Sequence, residues 1–225
     1  MDHIDRLLAR TSVDGLKLID LGAGDGSHAK ALSAHGALVT AIEIDEAKTE
    51  RLSATLPNQV SVKTGRGEKL PVADSSQDVL CCFYSFHHVP QTVQVAALTE
   101  FARVLKPGGR LHVVEPVPEG PSQEVFRLID DETDVLTRSA ARLDALSESG
   151  RFDLVTREEY ETTYRVADFE AVCREMTVVD PDRAARLETV REEFERAFHR
   201  YAETTADGFV FPQPNRAHHF VRCSS

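Results

Sequence analysis

Leu18-Ile19-Asp20-Leu21-Gly22-Ala23-Gly24-Asp25-Gly26 decides the fold. A short apolar run stops at three alternating glycines, which reads as a buried strand (Leu16 to Leu21) entering a tight turn. Ser27 to His35 follows as a helix, with Ala31 and Leu32 facing inward. Glycines at such a junction let the backbone approach a ligand, and the first helical amides can hold an anionic group. Alone, the same spacing also suits any tight strand-to-helix turn.

Outward from this turn, strand-like and helix-like segments alternate. Ala37 to Glu43 reads as the second strand, and Asp45 as the N-cap of a helix reaching about Leu56. Val60-Ser61-Val62 starts a third strand, and Val79 to Tyr84 is a fourth. Gln91 to Leu105 repeats Val93, Ala97, Phe101 and Leu105 at a helical period, and Lys106-Pro107-Gly108-Gly109 breaks it. Arg110 to Glu115 is a fifth strand. Strands joined through helices pair in parallel by right-handed crossovers. This predicts a doubly wound α/β fold whose ligand site lies at the carboxyl ends of the strands.

Past Pro116 the pattern changes. Pro121 to about Ser147 and Asp182 to about Tyr201 read as long helices. Asp180-Pro181 suits the start of the second, whose stripe is Leu187, Val190, Phe194, Phe198 and Tyr201. Asp153 to Val166 reads as strand, as do Phe209-Val210-Phe211 and His219 to Arg222. The expected architecture is therefore a mostly parallel seven-stranded sheet with one antiparallel edge strand and helices on both faces.

Composition narrows the function classes. The chain has 225 residues, 41% of them hydrophobic, and 37 acids against 26 bases give a net charge of -11. A field of that sign repels phosphate backbones, so no nucleic-acid partner is expected. The charged N-terminus lacks a signal-peptide core, and no stretch has the length of a membrane span. A cytoplasmic protein without a membrane partner is the expectation. The four cysteines show no Cys-x-x-Cys spacing, and Cys81 and Cys82 read as buried thiols rather than disulfide partners.

Candidate chemistry gathers at the strand ends. Glu43 lies 19 residues after Gly24, where an acid can accept both hydroxyls of an adenosine ribose. A dinucleotide loop needs a third glycine, and Ser27 or Ala29 stands there instead, which disfavours a nicotinamide-dependent oxidoreductase. His88 and His87 follow the fourth strand, and either can act as a base near neutral pH. His218 and His219 are adjacent on a strand and point to opposite faces, so no metal site is expected, with one ring inward and one outward.

Five segments in order then resemble the class I S-adenosylmethionine-dependent methyltransferases, over about residues 16–116. Residues Leu18 to Gly26 look like their first motif, and Val39 to Asp45 like their second strand. Gly65-Arg66-Gly67-Glu68-Lys69-Leu70-Pro71 is similar to their adenine-side loop. Ser76 to Val79 leading to His87-His88-Val89 resembles the fourth strand and its loop, and Arg103 to Leu111 the approach to the fifth. The small-molecule group that includes quinone-biosynthesis methyltransferases is the subgroup it resembles.

The resemblance implies S-adenosylmethionine as cofactor, S-adenosylhomocysteine as product, and a small-molecule acceptor methylated at O, N or C. It implies that the backbone of Gly22, Ala23 and Gly24 faces the methionine portion, with Asp20 ordering the loop or the amino group and Tyr84 near the methionine. Glu43 would bind ribose, Ile44 would pack on adenine, and Gly67 would offer its amide to the ring. Residues 1–116 would hold the cofactor. Residues 117–225 would add a helical lid and the last strands, completing the same domain and the acceptor pocket. One departure is Arg66, where the family often has an acid accepting from the adenine amine. Arginine only donates, so Glu68 or a backbone carbonyl would serve the amine while Arg66 faces solvent or stacks on the ring. A methyltransferase-like protein that binds cofactor or partner without turnover is the alternative. The acceptor and the oligomeric state have no signature in the sequence.

Overall fold

The computed structural model describes residues 2–179 and 183–224. The Asp180-Pro181 helix start lies outside them.

The first unit contains residues up to Glu115, with Arg138–Glu158 and the chain from Arg216 onward. Helix α1 (His3–Leu8) opens it, closed by a reciprocal capping box between Asp2 and Asp5. Strand β1 (Lys17–Leu21), helix α2 (Ser27–Ala34), strand β2 (Leu38–Glu43) and helix α3 (Glu46–Thr55) follow as the sequence predicts. Asp45 caps α3 by accepting the Lys48 N–H at 2.8 Å. Strands β3 (Ser61–Thr64) and β4 (Gln77–Phe83), helix α4 (Gln94–Val104) and strand β5 (Leu105–Pro116) complete the alternation. Strand β5 starts five residues before the expected Arg110. Gln77 pairs with Leu105 and Val79 with Arg110, so Lys106 to Gly109 bulge within the strand rather than delay it.

The second unit contains Pro116–Thr137 and Glu159–Asn215. The chain passes from the first unit to the second after Glu115, and two later segments belong to the first unit. The single helix expected from Pro121 to Ser147 is instead α5 (Pro121–Phe126), α6 (Thr133–Asp144) and a short 3-10 turn (Leu146–Ser149). Asp131 accepts the Thr133 N–H at 3.1 Å and starts a new helix there. Strand β6 (Phe152–Val166) matches its expectation. Helix α7 (Phe169–Val179) was not anticipated, although Phe169, Val172, Cys173 and Met176 carry its stripe. Helix α8 (Arg183–Tyr201) precedes β7 (Glu203–Thr205) and β8 (Gly208–Arg222). Strand β8 merges two expected strands. Pro212 and Pro214 lack only the N–H, and the Pro214 carbonyl still accepts from Val117 at 3.0 Å.

Strand order is β3-β2-β1-β4-β5-β8-β6, with β7 pairing antiparallel to β8. The sheet is the expected open, mostly parallel one with an antiparallel edge, but it has eight strands rather than seven. The eighth, β7, is three exposed residues without apolar alternation, so its pattern carries no strand signal. The first unit's core joins Ile19, Leu80, Phe86, Phe101, Val113 and Phe220. The second unit's core centres on Phe198, whose ring lies 5.5 Å from Phe169 and 5.3 Å from Phe211. No described helix is long and apolar enough to cross a membrane.

Both His218 and His219 are buried, correcting the one-in, one-out expectation. His218 Nε2 lies 2.8 Å from Asp144, and His219 Nδ1 lies 3.3 Å from His112 Nδ1. Burial lowers His112 to about 3, and His219 and His3 to about 4, from the usual 6.5. Between those limits the unfolded chain binds more protons, so stability present above pH 6.5 is lost as the pH falls toward 4. Asp20 works in the opposite sense. Burial raises it from 3.8 to about 7, so its contribution is present below 3.8 and lost as the pH rises through 7. One carboxyl opposes three imidazoles. The melting temperature is therefore expected to fall by several degrees from pH 7 to pH 5 in a buffer-matched thermal scan, and a flat or rising profile would contradict this.

Candidate functional site

The loop after β1 is shaped by its neighbours. Gly22 has a φ of 73°, and a Cβ placed there would lie 2.5 Å from Ser85 Cβ. Ser85 is anchored against it, its Oγ donating to the Leu21 carbonyl at 2.6 Å. The Gly22 and Ala23 amides both donate to the Ile42 carbonyl, at 2.8 and 3.2 Å, which ties the loop to β2. Gly26 at the α2 N-cap has a φ of 81°, and its Cβ would meet Leu52 and Leu56 at 2.8 Å. Both conformations favour glycine, and at Gly22 the space also requires it, whereas at Gly26 the leucine methyl ends could shift.

Glu43 closes β2 and is 7% exposed. Its two oxygens accept from the Gly24 N–H at 3.1 Å and the Ile44 N–H at 2.8 Å. Each oxygen keeps a second acceptor direction. Ile44 beside it is 54% exposed, an apolar surface next to a carboxylate. The Gly65 amide donates to the Glu43 carbonyl at 2.9 Å, bringing the adenine-side loop to the same strand end. Gly67 is buried, and a Cβ there would lie 3.3 Å from Val89. Glu68 is half-buried and Arg66 exposed.

Asp20 is 1% exposed, and its Oδ2 has no hydrogen-bond partner among the described residues. Burial raises its carboxyl, the charges of Asp25 and Glu43 add to this, and the Ala29 N–H opposes it. Tyr84 adopts a φ of 53°, a left-handed conformation that costs a tyrosine about 1 kcal/mol or more. Its ring meets His3 edge-on at 5.1 Å, and His28 stacks on Phe83 at 4.3 Å.

The two candidate bases occupy one 3-10 turn, Phe86–His88. His87 is buried and its Nδ1 contacts a Glu115 oxygen, while His88 is exposed. The other Glu115 oxygen accepts the Phe86 N–H at 2.8 Å. Sequence reading missed Glu115 and Ser85. An acid closing the apolar run Leu111 to Val114 was the available signal for Glu115, whereas Ser85 had none.

Residues 19–113 match a family model described as a methyltransferase domain. The chain is 33% identical over 124 residues to the 27-O-demethylrifamycin SV methyltransferase of Amycolatopsis mediterranei, covering 51% of this chain and 45% of that one. It is 36% identical over 118 residues to the demethylmenaquinone methyltransferase of Corynebacterium kroppenstedtii, covering 51% and 49%. The chain thus spans about half the length of these curated relatives. Its fold is similar to that of a crystal structure described as a methyltransferase of Bacillus halodurans, with a TM-score of 0.66, 19% identity and 97% of each chain covered. Residues 19–113 are thus similar to a methyltransferase domain, and the chain shares the Rossmann-like α/β fold of that crystal structure.

Proposed function

We propose that this chain transfers a methyl group from S-adenosylmethionine to a small-molecule acceptor by in-line displacement, leaving S-adenosylhomocysteine. The arrangement of Glu43 carries the proposal. Its carboxylate is held by the Gly24 and Ile44 amides at 3.1 and 2.8 Å, next to the exposed Ile44 side chain. A carboxylate with acceptor capacity beside an apolar surface suits a ribose diol and an adenine ring. The buried, unpartnered Oδ2 of Asp20 suits a cationic amino group, and the space at Gly22 admits only backbone. Ala23, Gly24 and Tyr84 frame the methionine side. Gly67 and Glu68 frame the adenine side, and the exposed Arg66 leaves the adenine amine to Glu68 or a backbone carbonyl.

When bound, the sulfonium supplies an activated methyl whose departure leaves a neutral thioether, so the protein contributes mainly alignment. Where the acceptor carries a proton that must leave, His87 is favoured over His88 as the base. Glu115 holds its Nδ1, which leaves Nε2, a buried atom, as the accepting atom of the neutral ring.

Thermal shift tests the proposal. S-adenosylhomocysteine at about 100 times its Kd should stabilise the protein by about 2.7 kcal/mol, and NAD should not. No shift with S-adenosylhomocysteine at millimolar concentration would sink it. Glu43→Ala is expected to weaken S-adenosylhomocysteine binding by about 10- to 100-fold in calorimetry, the loss of hydrogen bonds to a charged group. Binding without turnover on a broad acceptor panel would support the alternative of a non-catalytic family member.

A further inference from the structure

We propose that a second site, at the opposite end of the first unit's sheet, binds a small phosphate monoester with an apolar body. Two adjoining cavities of about 360 and 160 Å3 share Thr99 and Arg151. Arg103, Arg151 and Arg222 line the larger, and Arg142 and Arg151 the smaller. Among the described residues no carboxylate lines either one. The apolar floor is Val95 and Leu98 of α4 with Ala145 and Leu146 at the 3-10 turn.

The charge state of these arginines sets the groove apart. Arg6, Arg10, Arg127, Arg183 and Arg191 are each in an ion pair with a carboxylate. Among the described residues at the groove, Arg103 is neutralised by Glu100 and Asp74. Arg222 donates to two neutral acceptors, the Leu105 carbonyl and Ser75 Oγ. The Arg142 Nε is buried without a hydrogen-bond partner among the described residues. The Arg151 guanidinium has no ion pair or hydrogen bond among them either, because its contacts run through its backbone.

Among the described residues, three arginines without carboxylate partners (Arg142, Arg151 and Arg222) therefore line these two adjoining cavities in a chain whose net charge is -11. Arginine forks match phosphate oxygens in geometry and charge, and the Val95 to Leu146 floor suits a hydrocarbon or aryl body. Leu105 opens β5 and Ser75 precedes β4, so the groove lies at the amino ends of the strands. Gly22 and Glu43 lie at the carboxyl ends, so this is a site separate from the proposed methyl-transfer centre.

Phenyl phosphate titrated into the full chain by calorimetry is the test, with phenol and inorganic phosphate as partial ligands. Phenyl phosphate should bind at least about tenfold more tightly than either. The Arg142→Ala/Arg151→Ala double variant should lose about tenfold or more in that affinity. Thr99→Glu places a carboxylate at the shared point of the two cavities from an exposed helical position, and should cause a similar loss even if the double variant fails to fold. S-adenosylhomocysteine affinity should stay unchanged in both variants, which separates this site from the first. No binding of phenyl phosphate up to about 10 mM, or unchanged affinity in Thr99→Glu, would overturn the proposal.

Discussion

Gly22→Ala is expected to destabilise the fold by about 2–5 kcal/mol and to abolish measurable S-adenosylhomocysteine binding. Two costs combine. A φ of 73° places an alanine in the left-handed region, at about 1–2 kcal/mol. The new methyl would also lie 2.5 Å from Ser85 Cβ, and Ser85 has little freedom to retreat. Its hydroxyl is bonded to the Leu21 carbonyl at 2.6 Å, and the next residue's N–H is bonded to Glu115 at 2.8 Å. Overpacking of this kind costs about 1–3 kcal/mol, and the loop shift that relieves it moves the Gly24 amide away from Glu43. Gly15→Ala is the control. Its φ is 71° but nothing lies within 4 Å of the added Cβ, so it carries the strain without the crowding. Denaturant unfolding of the two variants separates the effects, and equal losses would refute the crowding argument.

His87→Ala is expected to lower turnover by about 10²- to 10⁴-fold on an acceptor that must lose a proton, with S-adenosylhomocysteine affinity changed by less than about threefold. The buried Glu115 holds the His87 ring, so on this proposal it would act as a positioning residue. Its variant Glu115→Gln still offers an oxygen to the Phe86 N–H, which favours retention of the fold. Turnover should fall in this variant too, and the acid limb of the pH–rate profile should move to lower pH. The carboxylate favours the protonated imidazole, so its loss lowers the histidine pKa. A purely structural role would leave that limb in place. His88→Ala should cost less than about tenfold, and a larger loss there than in His87→Ala would reverse the two assignments.

Residues close in sequence were readable because local periodicity and capping act over a few positions. The strand–glycine–helix junction, the Asp45 cap and the α4 stripe all follow from residues within one or two turns of each other. The same locality explains the errors. The broken helix at Asp131 depends on one side chain competing for the Thr133 amide, and β7 depends on hairpin pairing with β8. Both are weak patterns that neighbouring structure decides.

The sequence by itself determined the doubly wound sheet, the glycine loop and the acid at the end of β2, because each is written in residue types at short fixed spacings. Only the tertiary structure decided what those residues touch. Glu115 meets His87 across 28 positions and His219 meets His112 across 107. Ser85 closes on Gly22, and arginines of α6, the following turn region and β8 gather over α4. Such contacts join segments that are adjacent only in the folded sheet and its covering helices. No periodicity along the chain records them, and the glycine loop acquires its demand for glycine from a serine on another strand's end.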